Sequence, residues 1–191
     1  MEEMLEALRD IGDKSAVEPI KKYIATKPNE KIAAIAKRVL IQLDSEDPVT
    51  ELIALYKTET YEFEQANLQA ALLYYPKEAR VVEVMASTAR GSDIFFLRRD
   101  AIYGLDQINT HQSLLTLANL MGTTFPDDLK YTSKMAPKDL NDYFHQMIYG
   151  LLKNRTGKDL PPDAEQWKKA LANYLPKDES EAANSTESSR P

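Results

Sequence analysis

The residues able to do chemistry in this chain are few and poorly grouped. Two histidines, His111 and His145, stand 34 positions apart, and there is no cysteine at all. Disulfides, thiol nucleophiles and zinc-thiolate sites are thereby excluded. Neither histidine belongs to an HExxH pair. Asp142 and His145 lie one helical turn apart and could form one edge of a metal site, but two ligands make a weak one. A hydrogen-bonded surface pair is the expectation. No Gly-rich phosphate loop is present among only six glycines, and GTTFPDD and GSDIFF read as turns. The serines lack a base and a G-x-S-x-G setting. Asp127 and Asp128 read as solvating or capping carboxylates. Arg98-Arg99 is the one adjacent arginine pair. One of the two is expected to face an acid at a junction between structural units; a phosphate contact is the alternative. These readings predict a protein that is not an enzyme and that has no cofactor and no metal.

The elements that would position these residues repeat. Val17, Val49 and Val81 are 32 residues apart, as are Leu8, Leu40 and Leu72, and Ile20, Leu52 and Val84. Ile11, Leu43 and Tyr75 keep the same step. A fourth copy arrives one residue late, at Leu105, Ile108 and Leu117. A period of this size marks stacked helical hairpins. Each hairpin has apolar residues on more than one side and buries them only against its neighbours. The predicted fold is therefore all-α: an α-α superhelix, or solenoid, of about five helical hairpins.

Along the chain, Gly12 ends the first helix and Asp13 or Ser15 caps the second. Asn29 caps the third, and Pro48 opens the fourth. The third hairpin packs Phe63, Leu68, Ala71, Leu72 and Tyr75. Regularity breaks at Gly122, where a polar segment of about 122–137 reads as an insertion. It is expected to be a surface loop, or in a sharper reading a partner-contacting loop with Phe125 and Tyr131 as exposed anchors. A long helix follows, from about Pro137 to Asn154. Pro162 or Asp163 opens the last one, with Trp167, Leu171, Tyr174 and Leu175 facing inward. One repeat domain thus spans 1–176, and 177–191 is expected to be a disordered tail.

Net charge is −6 and the pI is near 5.1, which argues against nucleic acid as a partner. No apolar run is long enough to span a membrane. The acidic start MEEMLEALRD is not a signal peptide. The expected compartment is the cytoplasm; the alternative is an exported, periplasmic protein whose leader has been replaced by a starting Met.

Three stretches carry a resemblance. LEALRDIGDKSAVEPIKKYI resembles a HEAT repeat of the bacterial, PBS-lyase (phycobilin-lyase) type, with its Gly-Asp turn and Ala-Val start to the second helix. LRRDAIYGLDQINTHQSLLTLANLM resembles another copy. LLKNRTGKDLPPDAEQWKKAL is similar to the closing unit of such proteins, with Thr156-Gly157 in the turn and Trp167 in the last helix. The resemblance covers about residues 3–175 and is weakest at Tyr74-Tyr75-Pro76, where a Gly-Asp turn should stand. It implies second helices that line a concave side. Set in register, Pro19, Glu51, Glu83 and Thr116 share one column there, and Lys22, Ala54, Ala86 and Asn119 another. Lys22, Glu51, Glu83, Thr116 and Asn119 are accordingly the candidate partner-binding residues. The implied function is a non-catalytic scaffold that binds a protein or peptide on its concave face. The alternative is a phycobilin-lyase-like enzyme or chaperone acting on a protein partner. Relatives that are di-iron hydroxylases use repeated His-Glu pairs, and no His-Glu dipeptide occurs here. A DNA-glycosylase-like reading is opposed by the charge.

Overall fold

The structure is a computed structural model that describes residues 1–26, 29–126, 128–131 and 139–176. The expected tail at 177–191 lies outside them, as do Asp127 and residues 132–137 of the insertion, with Pro137 at the start of the expected long helix. The described residues form ten α-helices, one 3-10 turn and no strand. They divide into two compact units, Met1–Leu72 and Leu73–Pro191. The division falls inside the third expected hairpin.

The first unit holds α1 (Glu2–Ile11), the 3-10 turn (Lys14–Ala16), α2 (Val17–Ala25), α3 (Glu30–Asp44), α4 (Pro48–Thr58) and α5 (Glu62–Leu72). Its turns are written in the sequence. Gly12 closes α1 in the left-handed conformation, φ 70°, which a glycine adopts without a Cβ penalty. Asp13 accepts from the Ser15 amide at 2.9 Å. Asn29 accepts from Ile32 at 2.9 Å to start α3. Asp47 accepts from Thr50 at 3.1 Å, with Pro48 as the first helical residue. Each such cap is worth about 1 kcal/mol. α3 is the central element and packs against α1, α2, α4 and α5. Leu5, Val17, Ile20, Ile35, Val39 and Leu43 form the core, with Leu8, Ile24, Ile32 and Leu40 packed on it. Ile11, expected on the packing face, is 75% exposed instead. It is the last residue of α1, beside the Gly12 turn.

The second unit holds α6 (Ala79–Gly91), α7 (Phe95–Ile108), α8 (His111–Leu120), α9 (Leu140–Thr156) and α10 (Ala164–Leu171). α8 packs against each of the other four. Thr110 and Ser113 form a reciprocal capping box at the start of α8, satisfying two donors that the first helical turn leaves over. Asp139 and Asp163 cap α9 and α10. Gly157 ends α9 at φ 68°. Trp167 is fully buried, as expected. Leu175, expected to face inward, is exposed.

Two of the columns spaced by 32 residues are buried throughout. Val17, Val49 and Val81 are 6%, 2% and 0% exposed, each in the first turn of its helix. Ile20, Leu52, Val84 and Leu117 are buried as well.

The insertion is where expectation and structure part most clearly. Phe125 and Leu129 are buried, not exposed. Phe125 packs on Phe144 of α9 at 5.0 Å between ring centroids, and its amide donates to the Asn141 side chain at 2.9 Å. Further on, the Lys130 amide donates to the Asp93 carbonyl at 2.8 Å, and the Phe95 amide donates to the Lys130 carbonyl at 3.0 Å. The described part of this segment is thus pinned to the start of α7 by a single β-bridge. Burying a Phe ring is worth about 1.5–3 kcal/mol, which favours the inward position. Tyr131 does stay exposed.

Candidate interaction surfaces

The candidate partner-binding residues fall on both units. On the first, Lys22 of α2 and Glu51 of α4 are exposed. Glu51 has a local duty: its carboxylate accepts from the Ser45 hydroxyl at 2.5 Å and so steadies the turn before α4. On the second, Glu83 of α6 and Asn119 of α8 are exposed, and Thr116 of α8 is half-buried. The Thr116 hydroxyl donates to the Gln112 carbonyl at 2.8 Å, which leaves it a weaker donor to a partner. Glu51 and Glu83 each follow a buried valine by two positions. On a helix that spacing turns a side chain well away from the buried one.

The chemically capable residues serve the fold. His145 does not share its ring with Asp142. Its Nε2 lies 2.8 Å from the Thr123 carbonyl and its ring edges onto Phe125, while the Asp142 carboxylate takes the Gln146 amide. His111 Nδ1 lies 2.8 Å from the Tyr174 carbonyl. No group of three or more His, Asp or Glu is placed to hold a metal ion among the described residues. Nor is any described helix long and apolar enough to cross a membrane.

Arg98 and Arg99 take opposite roles, and neither faces an acid across a repeat junction. Arg99 pairs with its own neighbour, Asp100. Arg98 is 2% exposed. Its guanidinium donates to the carbonyls of Ala89 at 2.9 Å and Arg90 at 3.0 Å, and to that of Ser92. These are the orphan acceptors at the C-terminus of α6. The guanidinium also lies 5.4 Å and 5.9 Å from the ring centroids of Phe125 and Phe144. Burial holds its pKa below the usual arginine value, and the charge of Asp93 works in the other direction. Arg98 is therefore a helix cap and a post for the folded insertion.

A surface that the repeat pattern did not point to lies on the first unit, between α3, the end of α4 and α5. Two adjoining hollows of about 390 and 490 Å³ share Glu30, Ala34, Glu59 and Glu64 in their walls. The floor of the first is apolar, built from Ile24, Leu55 and Leu68, with Ala33 and Ala34 leaving the space. In its wall an ion network joins three helices: Arg38 of α3 pairs with Glu64 of α5 and lies 3.7 Å from Glu6 of α1. The second hollow is walled by Tyr61 and Phe63, which are 60% and 52% exposed with ring centroids 5.6 Å apart. The sequence pattern assigned Phe63 to a packing face. The usable signal was the cluster Glu59, Tyr61, Phe63 and Glu64, where aromatics and carboxylates alternate at a helix start.

Compared with known proteins, the chain matches no family model, no curated protein and no solved structure.

Proposed function

We propose that this protein is a non-catalytic helical-repeat scaffold that binds a protein or peptide segment. Kinship with PBS-lyase-type HEAT-repeat proteins, and the solenoid arrangement of hairpins that goes with it, belong to the same proposal. One observation carries it: the residues of the 32-residue register are buried at Val17, Val49 and Val81, while in two other columns Lys22, Glu51, Glu83 and Asn119 are in solvent, with Thr116 half-buried and Ala86 buried. Within each unit, helices that turn their apolar residues inward leave polar side chains on the outer face, where a partner can reach them. The groups that could do chemistry support the reading, because His145 and Arg98 are committed to backbone carbonyls.

The test is a random-peptide display selection on the immobilised full chain, with enriched peptides rebound to Glu51→Lys/Glu83→Lys. Enriched peptides support the proposal, and those that lose affinity for the double variant contact Glu51 or Glu83. Failure to enrich any peptide counts against it. A coloured adduct on incubation with a bilin and its apoprotein would replace it by the lyase-like alternative.

A further inference from the structure

We propose that the groove between α3, α4 and α5 binds a cationic peptide segment, one apolar side chain on its floor and an adjacent Arg or Lys against Tyr61 and Phe63. This rests on the peptide-binding reading and names the partner's chemistry. The volume of either hollow lies within the range of about 300–1,000 Å³ typical of ligand sites. The apolar floor supplies the hydrophobic term.

Charge decides the flanking residue. The cations near the groove are mostly committed: Arg38 to Glu64 and Glu6, and Lys31 to Glu2 at 2.7 Å. Of the three glutamates in the wall at the aromatic end, Glu64 is the one paired with Arg38; the other two are not so committed. Neither Glu30 nor Glu59 is paired with a Lys or Arg among the described residues. Glu59 accepts only from the backbone amides of Thr60 and Tyr61, at 2.8 and 2.9 Å, which leaves its negative charge in place. Lys37 lines the first hollow only, and the cation in the wall of the second, Lys31, is the one paired with Glu2. The aromatic end therefore combines two uncompensated carboxylates with two exposed rings. A guanidinium or ammonium group satisfies both at once: the carboxylates by charge-assisted hydrogen bonds and the ring faces by cation–π attraction. An acidic peptide would meet repulsion at the same place. The field of the whole unit favours the same sign, since Met1–Leu72 carries fourteen Asp and Glu against nine Lys and Arg.

The experiment is the display selection on the full chain, read at this groove. The two variants are Glu30→Gln and Tyr61→Ser, both at exposed positions, checked for unchanged far-UV circular dichroism. Affinities of labelled selected peptides are measured by fluorescence anisotropy. The expected consensus places Arg or Lys within a few residues of a large apolar residue. Combining the two variants is expected to weaken binding about tenfold, the loss of one exposed ion pair and one cation–π contact together. Acidic or neutral consensus peptides, or cationic ones whose affinity ignores both substitutions, overturn this inference and leave the peptide-binding reading standing. Selection of no peptide overturns both. A self-associating chain that Glu30→Gln dissociates in sedimentation overturns it in favour of a second copy as the occupant.

Discussion

Replacing Arg98 by Met should be among the most damaging single changes in the second unit, although no carboxylate pairs with it among the described residues. The side chain donates to three carbonyls around the end of α6. Hydrogen bonds to a charged group contribute about 1.5–3 kcal/mol each, so three bonds set a gross loss of about 5–9 kcal/mol at that rate. Against this stands the desolvation of a buried cation, the same effect that lowers its pKa, which typically costs several kcal/mol. The methionine also keeps part of the contact with Phe125 and Phe144. The net expectation is a loss of about 3–5 kcal/mol, since each buried carbonyl left without a donor costs about 1–3 kcal/mol and relief of the buried cation offsets part of the sum. The chain's single tryptophan, Trp167, is buried in the same unit. Urea unfolding followed by its fluorescence therefore reports the unit that Arg98 caps. Arg99→Met is the control, because the Arg99–Asp100 pair is well exposed, at 39% and 37%, and such pairs contribute about 0–1 kcal/mol. Should Arg98→Met fail to fold, Arg98→Lys keeps the charge with fewer and less directed donors and should fall between the two. Equal losses for Arg98→Met and Arg99→Met would refute the capping argument.

Two glycines of one helix should respond to alanine with opposite signs. At Gly150 a Cβ would meet nothing within 4 Å, so Gly150→Ala should stabilise the second unit by about 0.5–1 kcal/mol through helix propensity. Gly157 also has open space but sits at φ 68°, so Gly157→Ala should destabilise by about 1–2 kcal/mol; urea midpoints of the same sign for both would contradict this. Asp159 accepts from Lys153 at 2.7 Å and from the Tyr149 hydroxyl at 2.5 Å, and these bonds, the lysine's first, hold its carboxyl below the ordinary value. Its folded-state pKa lies below the unfolded one, so its contribution is complete above the unfolded value of about 3.9 and disappears as pH falls through the folded value. Asp159→Asn should therefore make the acid limb of a Trp167-monitored pH titration shallower, and superimposable limbs would remove the carboxylate from the account.

Helix existence was legible because it depends on local rules. The Gly12 stop, the Asn29 cap, the Asp47-Pro48 start and the Asp163 cap each concern a few consecutive residues, and the backbone must satisfy its terminal N–H and C=O groups wherever the helix sits. The burial of Val17, Val49 and Val81 was legible because each opens the apolar face of its own helix. Phe125 was misread because a polar stretch with two prolines says nothing about a distant apolar pocket ready to take one ring. Phe63 was misread in the other direction: a helical period places it, but only its neighbours decide whether anything covers it.

The amino-acid order alone thus determined that this chain is helical, where most helices begin and end, and which residues lead the packing faces, because those outcomes are set by interactions among residues close in sequence. Tertiary structure alone decided that Arg98 closes α6, that Phe125 turns inward, and that Glu30, Glu59, Tyr61 and Phe63 share one groove. Those outcomes depend on which surfaces are left after distant segments have met, and a one-dimensional pattern carries no measure of that remainder.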